Sequence, residues 1–222
     1  MAATTRDLDP EALSLGQRAV LAAIEASELA DLFYFSGGSA LQAAYLRHRT
    51  SLDLDFFSRN PVRTDRVLAV FRDASLPVSD LSRVHDRLEM TVAVGDESVR
   101  VEFVHYAFDR VAGAEAHFGR VEIDSRRDML ANKLSALIDR FEPKDYADTL
   151  LLLRDGLSLD QAVADCRMKF GWPALEHLLQ QAFARSARLA HWPALAVDLT
   201  LEDAKAAFRE LARDLIRLPD ED

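Results

Sequence analysis

Hydrophobic positions recur with two different periods in the first half of the chain and with one in the second. Over residues 10–29 the apolar positions Leu13, Val20, Leu21, Ile24 and Leu29 share one helical stripe. Residues 32–36 are a short apolar run, read as a strand, which Gly37 and Gly38 end. Helical spacing returns over 39–47, with Leu41, Ala44 and Tyr45 inward. Residues 51–58 then alternate, placing Leu52, Leu54 and Phe56 on one face of a strand and Ser51, Asp53 and Asp55 on the other. A helix is expected over 63–74, packed through Val67, Leu68, Val70 and Phe71. Residues 87–94 and 98–105 read as paired strands about a turn at Gly95-Asp96. The pattern over 106–124 is weaker and suggests a loop and one more edge strand.

From Arg126 onward the period is helical throughout. Helices are expected over 126–141, 144–155, 159–169, 173–189 and 201–217, punctuated by Pro143, Gly156, Gly171-Trp172-Pro173 and Trp192-Pro193. The change in pattern near residue 125 divides the chain into an α/β domain, 1–125, and a helical domain, 126–222. The fold class is therefore α+β, a mixed sheet followed by a helical bundle. In the last helix Leu201, Phe208, Leu211 and Leu215 share a stripe that either packs on the bundle or supports self-association.

Composition narrows the function classes. Apolar residues make up 49% of the 222, enough for a sizeable core. Acids outnumber bases 37 to 27, a formal charge of −10, which argues against non-specific coating of nucleic acid. A local basic groove is still compatible with that average, drawn from Arg47, His48, Arg49, Arg126, Arg127 and Lys133. The lone cysteine, Cys166, rules out an intramolecular disulfide and suits a reducing compartment. The N-terminal MAATTRDLDPEALSL carries acids where a signal peptide needs positive charge, and no apolar run approaches the ~18 residues of a membrane span. A cytoplasmic location without a membrane partner is the expectation.

The segment FSGGSALQAAYLRHRTSLDLDFF concentrates the candidate chemistry. A strand running into Gly37-Gly38-Ser39 and then a helix lets backbone approach a bulky anion closely, with the helix start favouring negative charge. Glycine pairs also end strands for structural reasons alone. Asp53 and Asp55, two apart on a strand, put both carboxylates on one face. Two like charges so close repel unless a cation lies between them. Hard oxygen ligands, few in number and completed by substrate phosphates, are what Mg²⁺ takes. The plainer alternative is a solvated strand face. A third carboxylate on a neighbouring strand is expected for a two-metal site; Glu102 is the candidate and Glu89 its competitor.

The helical half holds a second set. Lys133 falls inside the apolar stripe of Leu130, Leu134, Leu137, Ile138 and Phe141. An ammonium there must snorkel, meet an anion or reach into a nucleotide cleft. Asp145 and Asp148 share a face of the next helix beside the apolar run 150–153, so they require partners, with Arg140 and Lys133 the candidates. Lys144 reads as a solvated charge.

The motifs GGSALQAAYL, RTSLDLDFF, ANKLSALIDR and KDYADTLLLL resemble the AbiEii toxin family of DNA polymerase β-like nucleotidyltransferases, over roughly residues 33–155. The resemblance implies that Gly37, Gly38 and Ser39 bind nucleotide phosphates and that Asp53 and Asp55 bind metal. It maps the family's basic motif onto Lys133 and its acidic motif onto Asp145, with Asp148 nearby, and sets Arg49 within reach of phosphate. Glu102 as third metal ligand or general base comes from the strand pattern and not from the family. The implied activity is Mg²⁺-dependent transfer of an NMP from an NTP to an acceptor hydroxyl on tRNA, a protein or another target, with an antitoxin as partner. Rival readings are a stand-alone transferase acting on a small molecule and a non-catalytic nucleotide-binding module.

Overall fold

In the computed structural model, which describes residues 6–215, the chain divides between Ser125 and Arg126 into two units. The first runs β1 (Arg6–Asp7), α1 (Leu15–Glu25), β2 (Tyr34–Ser36), α2 (Gly37–Leu41), β3 (Leu54–Ser58), α3 (Thr64–Asp73), β4 (Val78–Val84), β5 (Arg87–Val94), β6 (Glu97–His105), β7 (Ala116–Phe118) and β8 (Val121–Ile123). The strands form one mixed sheet in the order β1-β7-β8-β2-β3-β6-β5-β4. β2 and β3 are antiparallel, whereas β3 and β6 are parallel, and β2 lies parallel to β8. Phe33, Phe35, Phe56, Phe71 and Phe103 stack through this centre, with Phe35–Phe56 and Phe56–Phe103 centroids both 5.3 Å apart.

Several elements differ from the sequence pattern, each for a local reason. The helix expected over 10–29 is broken at both ends by serines. Ser14 caps α1, accepting from Gln17 N–H at 3.1 Å, and Ser27 accepts from Leu29 N–H at 3.1 Å to start a separate 3₁₀ turn, Glu28–Asp31. α2 begins at Gly37 and widens into a π turn, Gln42–Leu46, closed by Arg47 N–H on Gln42 O at 3.1 Å. β3 starts at Leu54, not at residue 51, and Leu52 is 73% exposed rather than buried. Asp55 is the last β3 residue opposite β2, facing Ser36, so the residues before Leu54 run past the end of β2.

Residues 106–124 hold two strands, and β8 is interior to the sheet rather than an edge. Three-residue strands are too short for alternation to show. β4 was absent from the sequence pattern because Leu81 and Val84 are exposed and its register slips between Ser79 and Ser82.

The second unit contains α4 (Arg126–Asp139), α5 (Pro143–Arg154), α6 (Leu159–Phe170), α7 (Leu175–Ala184) and α8 (Leu201–Leu215). Tyr146, Phe183 and Phe208 form its aromatic centre, and the Tyr146 hydroxyl donates to Ala182 O at 2.8 Å. Residues 185–188, expected within one long helix, form a 3₁₀ turn after α7. α8 buries Ala204, Phe208 and Leu215, while Leu201 and Leu211 are only half-buried; residues 216 and 217 lie outside the described residues. Among the described residues no helix is long and apolar enough to cross a membrane.

Candidate active site

β2 ends and α2 begins at Gly37, whose φ of +74° lies where an L side chain is strained. Space imposes the same choice, because a Cβ on Gly37 would overlap the Asp55 carboxylate. Register is the cause: Asp55 sits opposite Ser36, so its carboxylate reaches across the turn that follows. At Gly38 a Cβ would stand 2.6 Å from Nη2 of Arg49 and 2.7 Å from Oγ of Ser51. The Gly-Gly turn is therefore lined by a carboxylate on one side and by a buried guanidinium on the other.

The segment leading into the Asp-x-Asp pair has no strand partner on the β2 side, and side chains satisfy its backbone. Ser51 N–H donates to Gln42 Oε1 at 2.6 Å. Gln17 Nε2 donates to Ser51 O at 3.0 Å and to Leu52 O at 3.1 Å. Ser39 Oγ donates to Asp53 O at 2.5 Å and is itself 3.3 Å from Gln17 Nε2. The Ser39 hydroxyl proton is thus committed to the backbone of Asp53. Gln17 escaped the sequence reading, although a signal existed: it is a polar residue on the buried face of α1, with Val20, Leu21 and Ile24.

Beyond β3, Glu102 on β6 stands in register with Asp55, and Glu89 on β5 stands opposite Glu102. Glu102 accepts from Arg87 Nη1 at 2.7 Å, and Nε of Arg100 lies 3.3 Å from Oδ1 of Asp53. Among the described residues no group of three or more His, Cys, Asp and Glu side chains is disposed to hold a metal ion. Asp53 and Asp55 still fit a hard divalent cation that takes one or two carboxylates and completes its shell with phosphate and water. The absence of a Cβ at Gly37 is what lets the Asp55 carboxylate lie directly against the turn.

In the second unit Lys133 does meet anions. Its ammonium is 2.8 Å from Oδ1 of Asp145 and 2.6 Å from Oδ2 of Asp148, with both aspartates fully buried. Arg140 adds Nε to Asp145 Oδ2 at 2.7 Å and Nη2 to Oδ1 at 3.1 Å. Burial pulls Lys133 toward neutrality, but Asp148 and then Asp145 outweigh it and raise its pKa. Burial likewise favours the protonated form of Asp145, and Lys133 and Arg140 overcome it to hold the carboxyl below its ordinary range. Lys144 is exposed.

A second buried pair, Lys169–Asp128 at 2.7 Å, was not anticipated. The cations expected to line a groove are largely engaged inside their own units: Arg47 with Asp9, Arg126 with Asp155 and Arg127 with Asp165. His48 and Arg49 are buried.

The fold recurs in solved structures. JHP933 from Helicobacter pylori superposes with a TM-score of 0.60 at 17% identity, over 95% of this chain and 94% of that one. The nucleotidyltransferase toxin MenT4 from Mycobacterium tuberculosis superposes with a TM-score of 0.56 at 14% identity, over 92% and 83% of the two chains. At these identities the likeness establishes the fold. No curated protein matches the chain by sequence. The profile described as nucleotidyl transferase AbiEii toxin, type IV toxin–antitoxin system, matches residues 19–221. The chain belongs to the AbiEii family and is a nucleotidyltransferase of that toxin family.

Proposed function

We propose that the protein transfers a nucleoside monophosphate from an NTP to an acceptor hydroxyl with Mg²⁺, as the cytoplasmic toxin of a toxin–antitoxin pair, the acceptor lying on tRNA or another macromolecule. The observation that carries this reading is the Asp55 carboxylate packed against the Gly37 turn, with Asp53 two residues before it. A carboxylate held there is costly to a phosphate-binding turn unless a cation joins the two charges.

Asp53 and Asp55 would hold the cation. When bound, Mg²⁺ supplies charge neutralisation at the phosphates and lowers the pKa of the attacking hydroxyl. Gly37 and Gly38 let the backbone approach the phosphates, and Arg49 backs the turn with a guanidinium suited to phosphate oxygens. Ser39 contributes by anchoring Asp53. Glu102, in register with Asp55, is the residue assigned to accept the acceptor's proton, once released from Arg87. Lys133, Asp145 and Asp148 enter as the basic and acidic residues of the family's second motif, the ammonium held in place by the two carboxylates.

The test incubates the protein with each labelled NTP, Mg²⁺ and total RNA or cell lysate, and asks which fraction takes up label. Asp53→Asn should lower transfer about 10²–10³-fold, the scale of losing a preorganised electrostatic contact, with the fold intact by circular dichroism. Near-wild-type labelling by Asp53→Asn overturns the metal assignment. Growth arrest on induction, relieved by a neighbouring gene, checks the toxin role.

A further inference from the structure

We propose that Gln17 is a positioning residue that sets the geometry of Asp53 for the metal, an inference that rests on the nucleotidyltransferase reading above. Gln17 lies outside the residues matched by the family profile, which begin at 19. Its side chain is 4% exposed, on a helix face otherwise apolar. A buried primary amide must spend its donors and acceptor, and every partner of Gln17 is informative. Oε1 accepts from Ser14 N–H at 3.0 Å, which completes the capping box of α1. Nε2 reaches three acceptors: Ser51 O, Leu52 O and Ser39 Oγ. Ser39 Oγ in turn donates to Asp53 O. One amide therefore holds the carbonyls of the two residues before Asp53 directly, and the carbonyl of Asp53 through one hydroxyl.

This arrangement answers a definite need. Residues 51–53 extend past the end of β2, so no ladder fixes them on that side. Asp53 is the first carboxylate of the pair, and its position follows from where its backbone is held. α1 is itself a firm base, because Gly16 N–H and Ser14 Oγ both donate to Glu97 at the start of β6, at 3.1 and 2.5 Å. Gln17 transfers that rigidity to the segment carrying Asp53. Groups that orient metal ligands without touching the metal typically change affinity 10–100-fold when removed.

The test titrates Mn²⁺ alone against the full chain, reading free Mn²⁺ by electron paramagnetic resonance. Wild type should bind, and Asp53→Asn should not. Gln17→Met, which keeps side-chain length and removes both amide protons, should raise the Mn²⁺ Kd about tenfold. Ser14→Ala, which removes the helix cap and one of the two donors to Glu97 but leaves the Gln17 amide in place, should lower the melting temperature and raise the Mn²⁺ Kd by much less than Gln17→Met does. Equal Mn²⁺ affinity in folded Gln17→Met and wild type overturns the role of Gln17 and leaves the nucleotidyltransferase reading standing. Weakening by Ser14→Ala as large as that by Gln17→Met assigns the effect to the helix cap and overturns the proposal. Absence of Mn²⁺ binding by wild type overturns the Asp53/Asp55 metal site and with it the role of Gln17. If Gln17→Met loses its cooperative unfolding transition, Ser39→Ala takes its place, removing the hydroxyl that joins Gln17 to Asp53 O; wild-type Mn²⁺ affinity in that variant again overturns the proposal.

Discussion

Lys133 illustrates how burial turns a charge into a structural commitment. Its ammonium has two fully buried carboxylates within 2.8 Å, and Asp145 also takes Arg140. Removing one member of such a group leaves the others charged in a poor solvent, which costs about 3–5 kcal/mol. Lys133→Met should therefore lower the unfolding free energy by that amount in urea titration. The exposed Arg100–Asp53 contact is different in kind, and Arg100→Ala should change stability by at most about 1 kcal/mol.

The same cluster sets the acid limb of stability. Asp145 has a depressed pKa in the folded state, because Lys133 and Arg140 outweigh its burial. A depressed carboxyl stabilises the fold above its unfolded pKa of about 3.9, and that stabilisation is lost as pH falls through the folded value. The stability gap between wild type and Asp145→Asn should narrow as pH drops below about 4. Lys133 is raised, so its contribution is fully present below its unfolded pKa near 10.4 and is lost only as pH rises through the folded value. A gap that stays constant between pH 5 and pH 3 would show that Asp145 does not titrate as the ion pair requires.

At the scale of elements, the turn between β2 and α2 is the most constrained piece of the first unit. Gly37→Ala meets a left-handed backbone cost of about 1–2 kcal/mol and must also displace the Asp55 carboxylate. Stability should fall by at least that much, with transfer activity reduced more than the stability loss explains, measured as melting temperature beside labelled-NTP transfer. The glycine pair, the Asp-x-Asp spacing and the paired strands β5 and β6 were all legible, because each rests on local periodicity or on a residue type with one conformational use. The lead-in at 51–53 was misread as strand. Alternation alone cannot tell whether a neighbouring strand extends far enough to pair, and β2 stops opposite Asp55. Likewise β8 was read as an edge, although its position inside the sheet depends on a parallel pairing with β2 that no local pattern encodes.

At the scale of the whole molecule, the charge of −10 is spread over groups with different fates. Asp128 and Asp165 are paired with Lys169 and Arg127, and Asp145 and Asp148 share Lys133, with Arg140 also on Asp145, all within the helical unit, while Asp53 and Asp55 lie at the candidate metal site. The single thiol offers a probe of that helical unit. Cys166 is fully buried, and burial pushes its pKa up to about 12. Native protein should be inert to a disulfide reagent at pH 8, with one equivalent reacting in denaturant, where the midpoint reports opening of this core. Prompt reaction of the native thiol would show that the α6 core is looser than its packing indicates.

The amino-acid sequence by itself determined the fold class, the family, the Gly37-Gly38 turn, the Asp53/Asp55 pair and the need of Asp145 and Asp148 for partners. Those features depend on residue type and short-range spacing, which a linear chain states openly. Only the tertiary structure decided that Lys133 answers both aspartates, that Ser39 is tied to the backbone of Asp53, and that Gln17 holds the segment before it. Contacts between residues 12 to 35 positions apart are set by how far each strand extends and which helices pack together, and periodicity carries no record of either.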